Sequence, residues 1–315
     1  LDSSGVIQNL TIQNASVTGS DDLGVAVGIN TGTVQNVTAS GTVIGNDRIG
    51  GLVGTVNNGG VVTDATATAI TNGSQSVGGL VGKSNGNGAV NNASASGTVT
   101  ASGQYAGGLI GDHHSTTPVT DVNASGSVTG ESSTGGLIGR IEANVINASA
   151  GGDVNGTSGN RVGGLIGAHR PNQAAKITNV SASGDVSASG NGVGGLVGHA
   201  KSSSGNPITV SNAHASGAVN ATGEKVGGLV GQFQNAGNVT DVSAKGDVNA
   251  SGPGDGDRVG GLVGNLHHDS ADYILANASA TGDVDATGQR VGGLIGYNQN
   301  GDRVETSYAR GDVST

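Results

Sequence analysis

The chain has 315 residues, 62 of them Gly, with 2% aromatic and 11% charged residues, no Cys, Met or Trp, and a formal net charge of -10. A globular domain uses Gly at roughly 7% and charged residues at about 25%, so a compact core of bulky side chains is excluded, and without Cys so are disulfides and thiolate metal sites. The acidic balance excludes non-specific nucleic-acid binding, the apolar share of 34% excludes wholesale disorder, and no run approaches the ~18 apolar residues of a membrane span.

Leu1 is not followed by the basic and apolar regions of a signal peptide, which reads as a mature form or a fragment. From residue 23 a Gly-rich hexamer recurs. It is LGVAVG at 23, IGGLVG at 49, VGGLVG at 77, AGGLIG at 106 and TGGLIG at 134, with further copies at 162, 193, 226, 259 and 291. The steps of 26 to 33 residues exceed one hairpin and suit one coil of a solenoid.

A second register runs in phase with the hexamer. Its zero position reads Asn14, Asn36, Asp64, Asn92, Asp121, Asn147, Asn179, Asn212, Asp241, Asn277 and Thr306. Three residues on stands Ala in all coils but the first, five on mostly Gly, and seven on mostly Val, with Ser, Thr, Asn or Asp between them. Alternation of small apolar and polar residues is the pattern of a strand with one buried face. Helix is disfavoured, because Gly costs about 1 kcal/mol per interior site. Ala in the third position implies a second wall lying very close.

These patterns predict an all-β fold: a single-stranded β-solenoid, that is, a flattened parallel β-helix, of ten to eleven coils with 26–33 residues each, as one continuous domain over 1–315. A rise of about 4.8 Å per coil makes a rod on the order of 50 Å long. Leu80, Leu109, Leu137, Leu165, Leu196, Leu229, Leu262 and Leu294 are its main bulk. Asn36, Asn92, Asn147, Asn179, Asn212 and Asn277 form a structural ladder of stacked amides.

The hexamers VGGLVG and VGGLIG, repeated at steps near 30 residues, resemble the GLUG motif, a repeat of bacterial and archaeal surface proteins. The resemblance implies a secreted or wall-attached, adhesin-like chain. Some family members are IgA1-cleaving metallopeptidases in which the repeat is an accessory region. No His here is followed by Glu, so the zinc signature H-E-x-x-H is absent and the resemblance implies a rod, not proteolysis.

Four groups of residues are candidate sites. The variable spacer after the hexamer carries large polar and aromatic groups, and insertions in a solenoid fall on one edge. His113, His114, His169, Arg170, His199, Phe233, His267, His268, Tyr273 and Tyr297 are therefore expected on a binding edge for glycans or a partner protein. Asp153, Asp185, Asp247, Asp283 and Asp312 share the sixth position and stack like charges. No cofactor is required, but Ca²⁺ or another cation between these rungs would offset the repulsion. Thirteen N-x-S/T triplets occur, and Asn123, Asn155, Asn220 and Asn249 lie on outward phases as glycosylation candidates. In the hexamer both parities are apolar, so one set is expected to form an exposed stripe for lateral packing on another chain or domain.

The expected function is a non-enzymatic extracellular rod, structural or adhesive, at the cell surface. Its partners would be further copies or neighbouring domains of the same protein, glycans, or cell-surface proteins. The alternative is a subunit of an extracellular filament assembled laterally or head to tail. A polysaccharide-active β-helix enzyme needs clustered carboxylates in a groove. Here Arg140, Arg161, Arg258 and Arg290 flank the hexamer without a fixed acidic partner. Ice binding is weak, because rows such as Thr98/Thr100 give way to Asp and Asn later. The triplet Arg310-Gly311-Asp312 is the ordinary repeat with one new Arg. Asp outnumbers Glu 19 to 4, which hints at a salt-rich habitat but also fits turn positions.

Overall fold

A computed structural model describes residues 5–203, 205–251, 258–267, 273–299 and 303–315. The chain is an all-β parallel β-solenoid of about ten turns, with no helix among the described residues. A 21-stranded sheet and two 10-stranded sheets run along it. Every strand pairing is between equivalent segments of neighbouring coils, and all are parallel. Val180 lies over Ala213, Val186 over Val219, Val193 over Val226 and Val197 over Val230.

One coil shows why this sequence winds as it does. Strand Ala175–Ala182 is followed by strand Val186–Ala188, and both belong to the large sheet. Val180, Ala182, Gly184, Val186 and Ala188 point inward and are buried, while Asn179, Ser181, Ser183, Asp185 and Ser187 are exposed. The chain then returns through strand Val193–Gly194 in one small sheet and strand Val197–Lys201 in the other.

The hexamer is therefore a corner between two sheets and not one strand. That overturns the expected apolar stripe, because both parities are inside. Val162, Leu165 and Ile166 are all fully buried. The first hexamer residue joins a smaller core with the Val and Ala of the seventh and ninth positions, such as Val193 with Val186 and Ala188. The Leu and following Val or Ile join the main core, which runs from Val27 to Ala280. Two cores, one on each side of the corner, account for the double parity.

Two kinds of small residue are needed for two reasons. Across the coil, Gly164 faces Ala182, and a Cβ on that Gly would lie 3.1 Å from the Ala methyl. Along the axis, a Cβ on Gly184 would lie 2.1 Å from the carbonyl oxygen of Gly152 in the coil before. The Ala column is small because the opposite wall is near. The Gly column is small because the preceding rung is nearer still.

The zero column has a backbone reason that the alternation did not reveal. Asn36, Asp64, Asn92, Asp121, Asn147, Asn179, Asn212, Asp241, Asn277 and Thr306 all have φ between 45° and 57°. This left-handed region is one that Asn and Asp enter more readily than other non-Gly residues. Each Asn amide then donates to the rung before it: Asn147 to Asp121 at 2.9 Å, Asn179 to Asn147 at 3.0 Å, Asn212 to Asn179 at 2.8 Å and Asn277 to Asp241 at 3.1 Å. A carboxylate accepts but cannot donate. Each Asp therefore starts a run, and the ladder is a set of short runs instead of one.

The first coil corrects the sequence register. Asn36 donates to Asn9 at 2.7 Å, so Asn9, not Asn14, is the first rung. The strand Val6–Thr18 slips by one residue between Ile12 and Ala15, and this bulge makes N-A-S at 14–16 imitate the motif. Counted from Asn9, the hexamer at 23 follows after 14 residues, inside the spacing of the other coils. The inserted GPGDGD at 252–257 lies outside the described residues.

Substitutions at three positions test these constraints. A Cβ at Gly194 meets three backbone atoms, the nearest 2.2 Å away, while one at Gly151 meets only Ser183 Oγ at 3.7 Å. Gly194→Ala should lower unfolding free energy by about 2 kcal/mol or more, and Gly151→Ala should change it by less than about 1 kcal/mol. Equal losses in urea unfolding would disprove the corner. At Asn179, Ala should cost roughly 1–2 kcal/mol more than Gly, since only Gly tolerates the left-handed backbone without a side-chain clash. The same unfolding assay reads that difference.

Candidate functional site

The residues just before and just after each hexamer form a polar ribbon on the corner. Before it stand Asp22, Arg48, Ser76, Tyr105, Ser133, Arg161 and Lys225, with left-handed φ of 51° to 71°. After it stand Thr55, Lys83, Asp112, Arg140, Ala168, His199 and Gln232, paired in register from coil to coil. The residue before one hexamer lies beside the residue after the next. Thr55 donates to Asp22, Arg140 Nη1 reaches Tyr105 OH at 3.4 Å, and Arg258 stacks 4.7 Å from the centre of the Tyr297 ring.

The first half of the ribbon is charge-compensated. Arg48 donates to both oxygens of Asp22 at 2.8 and 2.9 Å and also pairs with Asp47. Burial works against ionised Asp22, but the hydrogen bonds from Arg48 and Thr55 hold its carboxyl below the usual value. Arg140 forks onto Asp112 at 2.7 and 3.1 Å, with Asp112 only 1% exposed. Bidentate charge-assisted pairs of this kind are the stronger ones. Arg140 thus has the fixed acidic partner that its position in the sequence seemed to lack. The signal was legible: Asp112 and Arg140 both follow a hexamer, 28 residues apart, which is one coil.

The proposed binding edge divides in two. His113, His169 and Phe233 are fully buried and do not belong to an exposed edge. They share one inward column with Val56, Ser84, Ile141, Ala200 and Leu266. The reason is parity: in the last strand of the coil the residue two past the hexamer points into the main core. His114 is exposed and meets Glu142 at 2.6 Å, whereas His199 is also buried, at 9% exposure, with Nε2 facing Gln234 Oε1 at 3.3 Å. Arg170, His267, Tyr273 and Tyr297 are half-buried. His268 lies outside the described residues.

The Asp column has its own partners. The backbone amide of Asp185 donates to Asp153 Oδ1 at 3.0 Å, that of Asp283 to Asp247 at 2.9 Å and that of Asp312 to Asp283 at 2.9 Å. Asp153, Asp185, Asp247 and Asp283 thus each accept an N–H from the coil above. Among the described residues no group of three or more His, Asp or Glu is placed to hold a metal ion. Asn123, Asn155, Asn220 and Asn249 are all exposed. The last two touch, with Asn249 donating to Asn220 at 3.0 Å. No helix among the described residues is long and apolar enough to cross a membrane.

The fold and its corner define a class: a β-solenoid of Gly-hexamer coils with a charged ribbon along one corner. Three segments, 73–100, 222–249 and 287–314, match the GLUG motif, so the chain carries GLUG repeats. It is 67% identical over 179 residues to Halomucin of Haloquadratum walsbyi, a match covering 57% of this chain and 2% of Halomucin. The chain thus spans a small fraction of the length of that relative. No solved structure matches.

The two interior histidines carry a pH prediction. Each donates Nε2–H to a carbonyl at 2.8 Å, His113 to Thr117 and His169 to Ala143, and neither Nδ1 has a partner. Burial outweighs those bonds and pushes both imidazoles down to about 4. The unfolded chain protonates its histidines near pH 6.5, while the folded chain stays neutral there. Stability is therefore full above about pH 6.5 and falls toward pH 4, by on the order of 3 kcal/mol per histidine. Replacing both by Ile, after Ile141 in the same column, should remove their share of that slope in urea unfolding and leave the share of His199, which burial also holds at about 4. A slope retained in full would assign it to other groups.

Proposed function

We propose that the chain is a non-enzymatic segment of a cell-surface protein, acting as a structural rod that also presents an adhesive corner. The observation that carries this reading is continuity. Parallel pairing of successive coils runs from Val6 to Ser314, with register slips only in the large sheet at Ile12/Ala15 and Ile208/Val210 among the described residues, so successive corner residues fall on a line at strand spacing. A repeat of this kind gives length and display by stacking alone. The GLUG segments and the match to Halomucin support a surface location. Adhesion rests on the polar ribbon, and lateral packing through an apolar hexamer stripe is withdrawn because that stripe is buried. Assembly into a filament is the alternative.

An antibody raised against the chain should label intact, unpermeabilised source cells. Labelling that needs permeabilisation would overturn the surface reading. The purified chain should stay a discrete rod in electron micrographs across a range of concentrations, whereas fibres that lengthen with concentration would favour the filament.

A further inference from the structure

Beside the middle of the corner ribbon three basic residues gather, Arg161 just before a hexamer and Arg170 and Lys201 three residues past one. The chain has 23 acidic and 13 basic residues, so an ordinary cation in it has carboxylates to choose from. Arg48 and Arg140 take theirs. Two coils further on, Arg161 is held only by hydroxyls, its Nε donating to Ser133 Oγ at 3.1 Å and its Nη2 to Ser132 Oγ at 3.2 Å. Arg170 has a buried Nε with no hydrogen-bond partner. Among the described residues neither Arg forms an ion pair.

These cations converge. The corner register sets Arg161 beside His199: a Cβ on Gly198, the residue before that His, would lie 2.7 Å from the carbonyl carbon of Arg161. Ala168 occupies the rung between Arg140 and His199, so no long side chain fills the gap. Arg170 and Lys201 line an open groove of about 270 Å³ together with Pro171, Asn172, Ser202 and Ser203. Burial first, then Arg170, Arg161 and Lys201, push His199 down to about 4, and burial with Arg161 beside it lowers Arg170 as well.

We propose that Arg161, Arg170 and Lys201 form a binding site for an oxyanion carried on a sugar, the carboxylate or sulfate of an acidic polysaccharide. A guanidinium fork matches the two oxygens of such a group, and an unpaired one in a partly dry groove gains more from it than a solvated lysine does. Ser203 offers an exposed hydroxyl to a neighbouring sugar hydroxyl, whereas the Asn172 amide is held by Glu142 and the buried Ser202 hydroxyl by the Asn235 carbonyl. The groove is open and is lined by two neighbouring coils, which suits a chain ligand lying across rungs more than an enclosed small molecule. The choice of a polysaccharide rests on the adhesive reading above, whereas the anion preference stands on the charges alone.

Calorimetric titration of the whole chain at fixed ionic strength tests this. The probes are tetragalacturonate, a sulfated oligosaccharide, the neutral methyl ester of the first, and sodium sulfate. One of the two charged oligosaccharides should bind, with the ester at least about tenfold weaker. Arg161→Gln/Arg170→Gln should weaken that binding by about tenfold or more while leaving the melting temperature near that of the parent chain, and Lys245→Gln, remote from the groove, should leave it unchanged. Equal binding by the double variant, equal binding of the ester, or no binding of either charged sugar would overturn the site. Sulfate binding alone would keep an anion pocket but overturn the polysaccharide assignment. Surface labelling of cells is read separately, so failure of the rod's location and failure of this site are distinguishable.

Discussion

Everything in this molecule follows from backbone resting on backbone. In the Gly column of the large sheet, the place where a Cβ would sit is about 2 Å from the carbonyl of the preceding rung, as at Gly152, Gly184 and Gly217. At the hexamer corner the two small sheets meet in the same way, through Gly163, Gly194 and Gly227. Such approach is open only to Gly. It explains why a chain with so few large side chains can still exclude water: the walls are close enough that Val, Leu and Ala fill what remains. Backbone amides satisfy one another between coils, so little side-chain chemistry is needed to hold the stack.

That economy has a consequence for the surface. The interior is decided by a few repeated columns, and the outward positions are free to vary. Two columns are left-handed, the exposed zero position and the residue before the hexamer, which is half-buried or, at Ser76 and Ser133, buried. The first is filled by Asn and Asp, which suit that backbone and pair along the axis. The second carries Asp, Arg, Ser, Tyr and Lys, residues that bear the strain of a positive φ. The charged ribbon therefore sits where the backbone turns into the hexamer, and the long side chains there reach the next coil instead of their own. Arg140 on Asp112 and Arg48 on Asp22 show one use of that reach, structural pairing across rungs. Arg161, in the same column as Arg48, and Arg170, three residues past the next hexamer, have no carboxylate partner among the described residues.

Much of this was legible before any coordinates. The hexamer steps, the strand alternation at Asn179–Ala188 and the Asn ladder all came from counting residues, because a stack of like rungs writes its geometry into the sequence as a period. What failed did so for identifiable reasons. Asn14 was misplaced because a one-residue bulge moved the register while the local motif stayed intact. The apolar stripe was misread because one strand was assumed where the chain makes a corner between two cores. His113, His169 and Phe233 were set on an edge because polar or aromatic residues after a hexamer look like spacer. In fact the second residue past it still points inward.

The division is thus physical. Sequence by itself determined the repeat, the parallel stack, and which columns must be small, since these depend on relations that recur every coil. Only the tertiary structure decided which side of each wall a residue faces at the corner, which Asp carboxylates take an amide from the coil above, and which arginines lack a carboxylate. Those outcomes depend on the angle at which one sheet leaves another, and on neighbours 26 to 36 residues away. No local pattern encodes that angle.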